Sequence, residues 1–191
     1  MSNTIEILGD KNAVASIVHR TISGDFVDDE ITQIGKRAFY YCTSLSTVSF
    51  PMVTMVSNFA FQQCTGLLAA YFSNVTTIGS QAFYNCTSLS FVDIPKVTDI
   101  GHTAFGNCSS ITYVYLGKIN HIGAYAFNNC SKLSVAVVGV DTSSVCTLDM
   151  SNAFYNTRSN LVIYVPSSLY SLYVSAPQWN LISTKIASYT G

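Results

Sequence analysis

An Ala-Phe pair that recurs every 22 residues constrains the fold of this chain more than any other feature. Five pairs follow this spacing and a sixth comes after a gap of 27 residues; their alanines are Ala38, Ala60, Ala82, Ala104, Ala126 and Ala153. A cysteine lies three residues after each of the first five phenylalanines, at Cys42, Cys64, Cys86, Cys108 and Cys130. Self-similarity at this period indicates a solenoid, in which each repeat buries its apolar face against its neighbours.

Each repeat has three parts, which residues 75 to 95 show clearly. A Val-x-x-Ile-Gly segment ends at Gly79, and its glycine predicts a bend with a positive φ. The Ala-Phe-x-x-Cys segment that ends at Cys86 predicts one or two helical turns. The last part, Leu89, Val92 and Ile94, has the apolar pattern of a strand. Equivalent strands should stack as a parallel sheet with neighbours about 4.8 Å apart.

The segments before and after the repeats are interpreted as caps of one structural domain. Residues 1–30 form the N-terminal cap, with a helix predicted over 10–20 and a short strand over 21–28. The solenoid of about six repeats covers 31–166. Residues 167–191 form the C-terminal cap, in which Trp179 is expected to cover the last coil.

The composition excludes several classes of protein. Only 10% of the 191 residues are charged, against about 25% in an average protein, and the net charge is −1. A nucleic-acid partner is not expected, because no basic stripe is present. No apolar run reaches about 18 residues, so membrane insertion is not expected. The N-terminal residues show no signal-peptide pattern.

The repeat resembles a known family. The motif Ile-Gly-x-x-Ala-Phe-x-Asn-Cys-x-x-Leu, whose last Leu begins the strand motif Leu-x-x-Val-x-Ile before a turn, is similar to the BspA-like class of leucine-rich repeats over residues 31–166. The resemblance implies an α/β solenoid: a right-handed superhelix with a parallel β-sheet face and a cap at each end. It also implies a cell-surface or secreted protein, often an adhesin of host-associated bacteria.

The outward side of the strands is the candidate binding surface. Strand side chains alternate between faces, so the residues between the apolar positions point outward. They are rich in aromatic residues, and the candidates are Tyr71, Phe91, Asp93, Tyr113, Tyr115 and Tyr164. Exposed aromatic patches mark interaction sites. Two alternatives remain open: such residues simply suit a sheet surface, or the face mediates self-association.

No catalytic, metal or cofactor site is expected. The repeated cysteines should be buried small hydrophobes stacked in a row, and Cys146 is predicted to be the exposed thiol. An Asn at the position before the cysteine is expected to satisfy backbone groups, so the sequons there are interpreted as by-products of the repeat. His102 and His121 flank the Ile-Gly bend without a nucleophile at a recognisable spacing.

We therefore expect a non-enzymatic module that binds a protein or a glycan through the sheet face, with host adhesion as one use. The first alternative is a structural or assembly component, for example of a phage or a secreted particle, that self-associates through this face. The second is an enzyme with an unrecognised site.

Overall fold

The computed structural model describes residues 14–15 and 22–190, and all of its paired strands are parallel. In chain order the strands are β1 (Val14–Ala15), β2 (Ser23–Val27), β3 (Gln33–Ile34), β4 (Ser44–Ser49), β5 (Met55–Val56), β6 (Ala69–Tyr71), β7 (Thr77–Ile78), β8 (Phe91–Asp93), β9 (Asp99–Ile100), β10 (Tyr113–Leu116), β11 (His121–Ile122), β12 (Val135–Val138), β13 (Thr147–Leu148), β14 (Val162–Pro166) and β15 (Ile186–Tyr189). The α-helix α1 (Tyr170–Ser175) and the 3-10 helices Ser151–Phe154, Ser167–Leu169 and Asn180–Lys185 lie near the C-terminal end.

The strands form two sides of a solenoid, which confirms the predicted fold. The odd-numbered strands β1 to β13 make a seven-stranded sheet in chain order. The longer strands make two four-stranded sheets, in the orders β2-β4-β6-β8 and β10-β12-β14-β15. The repeat predicts one sheet of equivalent strands, but the longer strands are divided into two sheets between β8 and β10. Strands β2 and β15 from the two flanking segments extend these sheets.

The core lies between these two sides and is formed by the repeated apolar residues. The strand residues Leu89 and Ile94 are buried, as are Phe83 and Cys86 of the same coil. The repeat phenylalanines stack with ring centroids 4.7 to 5.4 Å apart, from Phe39 through Phe154. Because each ring packs between the rings of adjacent coils, the ladder ties every coil to both neighbours.

The Ala-Phe-x-x-Cys segments are turns, so the predicted helical turns are wrong. The backbone N–H of Cys86 donates to Phe83 O within the coil at 3.1 Å, whereas that of Phe83 donates to Ala104 O in the next coil at 2.8 Å. Two positions per coil have a positive φ; they are Arg37, Tyr41, Phe59, Gln63, Gln81, Asn85, Thr103, Asn107, Tyr125 and Asn129. A left-handed residue on each side of the Ala-Phe pair prevents a continuous helix. Half of the backbone N–H groups in such a segment then donate hydrogen bonds to carbonyl groups of the adjacent coil.

The repeat glycines are required for space, and the predicted positive φ at these positions is wrong. Among the described residues, positive-φ glycines are Gly24 and Gly139, not the glycines that follow the repeat isoleucines. A Cβ on Gly101 would lie 2.6 Å from the backbone nitrogen of Ser80, and one on Gly123 would lie 2.7 Å from that of His102. At Gly101 and Gly123 the coils therefore approach too closely for a side chain, whereas the second coil has Ser57 at this position.

The N-terminal segment differs in part from its prediction. Val14–Ala15 forms a strand that pairs with β3, so the predicted helix is wrong at these two residues, and the rest of the helix lies outside the described residues. The strand predicted over 21–28 corresponds to β2, which pairs with β4. Among the described helices, none is long and apolar enough to cross a membrane.

The C-terminal segment covers the end of the core and adds a strand. Trp179 and Tyr173 are buried with ring centroids 5.1 Å apart, and the Trp179 ring lies 6.5 Å from that of Phe154. The Trp179 indole Nε1–H donates to Cys146 O at 2.8 Å. Cys146 is thus buried under these rings, and the prediction that it is the exposed thiol is wrong.

Candidate binding surface

The outward side chains of the two four-stranded sheets form a surface that we call the aromatic face. Of the candidates, Tyr71, Phe91, Tyr113 and Tyr115 are exposed by 37 to 49%, while Tyr164 and Asp93 are half-buried. All six point away from the core, because the alternate residues of the same strands fill it.

The structure brings the candidates together in two groups. In the first sheet, the Tyr71 and Phe91 ring centroids are 5.5 Å apart, and Tyr71 is in register with Asp93. In the second sheet, Tyr115 and Tyr164 flank Val137 in register. The division between β8 and β10 separates the groups.

Val137 occupies an outward strand position between these tyrosines, yet it is only 6% exposed. Its register neighbours Tyr115 and Tyr164 are large enough to cover a valine between them. The second group is therefore a packed cluster with an apolar floor.

The aromatic face has little charge, and the charged residues on its strands are acidic. The eight longer strands include two charged residues, Asp25 and Asp93, and no lysine or arginine. The Asp25 carboxylate accepts a hydrogen bond from Thr47 Oγ1 at 2.6 Å. A sheet surface of this kind offers aromatic contact area together with hydrogen-bond acceptors.

Two residues at the edge of the aromatic face were missed in the sequence. Tyr189 is 43% exposed and joins the face because β15 pairs with β14. Asp141 follows β12 in the loop, and its Oδ2 accepts a hydrogen bond from the Tyr115 hydroxyl at 2.9 Å. Asp141 lies where the insertion interrupts the 22-residue period, so no repeat position marked it. For Tyr189, the segment Ile186–Tyr189 gave no clear strand signal, because its sequence Ile-Ala-Ser-Tyr does not alternate apolar and polar residues.

The tyrosines of this edge have altered acidity. Burial, followed by the hydrogen bond to Asp141 and its negative charge, raises the pKa of Tyr115 to about 12. Burial, followed by electrostatic interaction with Tyr189, raises the pKa of Tyr113. Both hydroxyls therefore remain protonated at neutral pH and can donate as well as accept hydrogen bonds.

The cysteine ladder is part of the core. The Cys86 thiol donates to Phe61 O at 3.1 Å, and Cys108 and Cys130 make the same contact with the preceding coil. Burial raises the pKa of the Cys86 and Cys108 thiols, and it raises that of Cys130 and Cys146 to about 12. Thiols in this state are poor nucleophiles and poor metal ligands.

The asparagine ladder bonds to itself rather than to the backbone, which corrects its predicted role. Asn129 Nδ2 donates to Asn107 Oδ1 at 2.8 Å, and Asn156 Nδ2 donates to Asn129 Oδ1 at 2.7 Å. Asn85 Nδ2 donates to Gln63 Oε1 at 2.7 Å. The amide nitrogens of the Asn85 and Asn129 sequons are thus occupied by contacts between coils.

His102 and His121 lie on the opposite side of the solenoid from the aromatic face. His121 Nε2 and Asp149 Oδ1 are 2.8 Å apart, and the hydrogen bond from His121 lowers the pKa of Asp149. His102 Nδ1 lies 2.7 Å from the hydroxyl of Thr103, its neighbour in sequence. Across the part of the chain that the structure describes, no three His, Cys, Asp or Glu side chains are placed to hold a metal ion.

Comparison with known sequences supports the repeat assignment. The BspA type leucine rich repeat region matches the chain in six copies, over residues 22–134 and, overlapping these, 54–180. The chain belongs to this BspA-type leucine-rich repeat family. No curated protein matches its sequence.

Solved structures of bacterial leucine-rich repeat proteins share the fold. A leucine-rich repeat protein from Bacteroides ovatus aligns with a TM-score of 0.65 and 24% identity, covering 88% of this chain and 43% of its own. A leucine rich cell surface protein from Faecalibacterium prausnitzii aligns with a TM-score of 0.67 and 20% identity, covering 95% and 52%. The T. pallidum leucine-rich repeat protein aligns with a TM-score of 0.67 and 23% identity, covering 92% and 88%. The chain spans about half the length of the first two structures.

Proposed function

We propose that this BspA-type solenoid is a non-enzymatic binding module whose aromatic face contacts a protein or glycan partner. The observation that carries the proposal is the exposure of Tyr71, Phe91, Tyr113 and Tyr115 on the strands of one side. Rigid aromatic side chains supply large contact areas at low entropic cost and dominate binding energies. One solved structure of this fold is described as a cell surface protein. A cell-surface location of this kind would allow a role in host adhesion.

The proposal is tested by a partner screen followed by a double variant. The purified chain is screened against immobilised extracellular-matrix proteins and a glycan array. A ligand found there is titrated against Phe91→Ala combined with Tyr113→Ala. Loss of two central aromatic contacts of about 2 kcal/mol or more in total should weaken binding at least about thirtyfold.

The matched control removes two aromatic residues elsewhere. Tyr155→Ala combined with Tyr170→Ala deletes exposed rings outside the sheets and should leave the affinity unchanged. Equal affinity of both double variants for every ligand would overturn the proposal.

Self-association through the same face is the alternative that this pair of variants also tests. Light scattering as a function of concentration should show a monomer for the proposed binding module. A concentration-dependent multimer that only the Phe91→Ala, Tyr113→Ala variant abolishes would favour the assembly role instead.

A further inference from the structure

A cleft lies at the edge of the aromatic face, between the strands of the second sheet and the loop after β12. Its volume is about 340 Å³. The polar groups that line it belong to Tyr115, Asp141, Ser167, Ser168, Tyr189 and Thr190. The cleft is formed by a repeat strand, the inserted loop and the C-terminal segment together, so no single repeat could form it.

Gly117 allows the cleft to form. A Cβ at this position would lie 2.3 Å from Asp141 Oδ2 and 2.6 Å from the Tyr115 hydroxyl. The Asp141 backbone N–H donates to Gly117 O at 2.8 Å, and the positive φ of Gly139 turns the chain toward this bond. The Tyr115 ring therefore lies over a glycine, and the Asp141 carboxylate is anchored beside it.

The loop that carries Asp141 is also fixed from its other end. Thr142 Oγ1 bonds to Gly139 O at 2.8 Å and to Ser144 O at 2.9 Å. On the opposite wall, Tyr189 is placed by its register with Pro166 in β14. The carboxylate and the two tyrosines are thus positioned before any ligand arrives.

The chemistry of the cleft favours a cation. One oxygen of Asp141 accepts the Tyr115 hydroxyl, and no described residue donates a hydrogen bond to the other oxygen. No lysine or arginine lines the cleft, and the nearby Lys118 is exposed to solvent outside it. Ammonium and guanidinium groups are attracted both to aromatic faces and to a carboxylate. Anionic ligands find no positive group here.

The aromatic face around the cleft is negatively charged, like the Asp141 carboxylate. Its strands carry Asp25 and Asp93 and no basic residue, so a positively charged partner segment is favoured along its length. Because of this charge complementarity, a basic protein segment is favoured over a neutral glycan as the ligand of the cleft.

We propose that this cleft binds a lysine or arginine side chain of a protein partner, with its cationic head against the Asp141 carboxylate and beside the Tyr115 and Tyr189 rings. This inference rests on the proposed function and names its partner chemistry. Arginine fits best, because a planar guanidinium can stack on a tyrosine ring while bonding a carboxylate.

The test uses short probes that differ in charge. The ¹⁵N-labelled chain is titrated with the acetylated and amidated peptide Gly-Gly-Arg-Gly-Gly, with its citrulline counterpart, which is a neutral isostere, and with chitohexaose. The arginine peptide should shift the amide signals of Asp141, Ser168 and Tyr189. The citrulline peptide should bind at least about tenfold more weakly. Raising the salt concentration from about 0.05 M to about 0.5 M should weaken only the arginine peptide.

Two charge-neutralising variants locate the effect. Asp141→Asn should weaken the arginine peptide about tenfold, since it keeps the shape of the side chain and removes its charge. Asp29→Asn removes the same charge at an exposed site in the N-terminal part of the chain and should change nothing. Equal binding of the arginine and citrulline peptides, or preferential shifts of the cleft signals by chitohexaose, would overturn the inference.

Failure of this inference is distinguishable from failure of the proposed function. If a partner from the screen is lost in Phe91→Ala, Tyr113→Ala but unaffected by Asp141→Asn, the aromatic face binds and the cation cleft is refuted. If neither variant affects any partner, both proposals fail.

Discussion

Removing one ring from the phenylalanine ladder tests how the coils are coupled. Phe83 is fully buried, and its ring lies between those of Phe61 and Phe105, with centroid distances of 5.1 and 5.2 Å and nearly parallel planes. The Phe72 ring approaches it edge-on at 6.0 Å. Phe83→Ala therefore removes ring contacts with both neighbouring coils.

The expected loss of stability is about 4 kcal/mol. A buried phenylalanine side chain removes at least about 150 Å² from water, and at about 25 cal/mol per Å² this is worth about 4 kcal/mol. Alanine retains part of that area, while the cavity and the two lost stacking contacts add to the cost, so the total stays within the usual range of about 3–5 kcal/mol. Phe83→Leu keeps most of the apolar area and should cost about 2 kcal/mol.

Urea unfolding with two probes measures both the size and the location of the effect. With a slope of about 2 kcal/mol per M, the midpoint should fall by about 2 M in Phe83→Ala. Far-ultraviolet circular dichroism reports all coils, whereas fluorescence reports the single tryptophan, Trp179, in the C-terminal segment. Because solenoid coils are stabilised by their nearest neighbours, the two transitions should coincide in the wild type and separate in the variant.

The same coil supplies the control. Phe91 is 49% exposed on the aromatic face, so Phe91→Ala should cost less than about 1 kcal/mol. A loss from Phe83→Ala below about 1.5 kcal/mol, or no larger than that from Phe91→Ala, would refute the reasoning about the ladder.

Two further predictions concern titratable groups. All six cysteines are buried, and burial raises the pKa of those in the middle of the ladder; native protein at pH 8 should therefore react with a thiol reagent only after denaturant is added. Rapid reaction of even one native thiol would contradict this. The pKa of Asp149 is lowered from 3.8 by its hydrogen bond from His121, so the native state holds this proton less tightly than the unfolded state. The resulting stabilisation is present above pH 3.8 and is lost as the pH falls through the lowered value, and Asp149→Asn should remove this part of the acid dependence, measured as urea midpoints against pH. If the urea midpoint of Asp149→Asn falls in acid as much as that of the wild type, the contact between His121 and Asp149 is not the source of this acid dependence.

The repeated core could be predicted because each of its contacts recurs. Once Leu89, Val92 and Ile94 are assigned to one side of a strand, the 22-residue period assigns the equivalent positions in the other coils. Nearly all of these are buried, although Val92 itself is partly exposed next to the division of the sheet. The outward candidates followed from the same alternation, and all six lie on the aromatic face.

The turn geometry was not accessible from residue preferences. Arg37, Phe59 and Thr103 adopt positive φ values that their side chains disfavour, because hydrogen bonds between coils compensate for the local cost. The repeat glycines were recognised as special, but the reason was the approach of the adjacent coil rather than the local bend.

The solenoid, its core and the side of the strands that carries aromatic residues could be predicted from the amino-acid sequence, because they depend on a period and an alternation of residue types along the chain. The contacts made by residues outside the repeat became visible in the folded structure. Cys146 is buried by Tyr173 and Trp179, which lie 27 and 33 residues later, and Asp141 meets the Tyr115 hydroxyl across 26 residues. These contacts involve the insertion and the C-terminal segment, where the 22-residue period is interrupted. Because no period relates these residues, their contacts are set by packing in three dimensions.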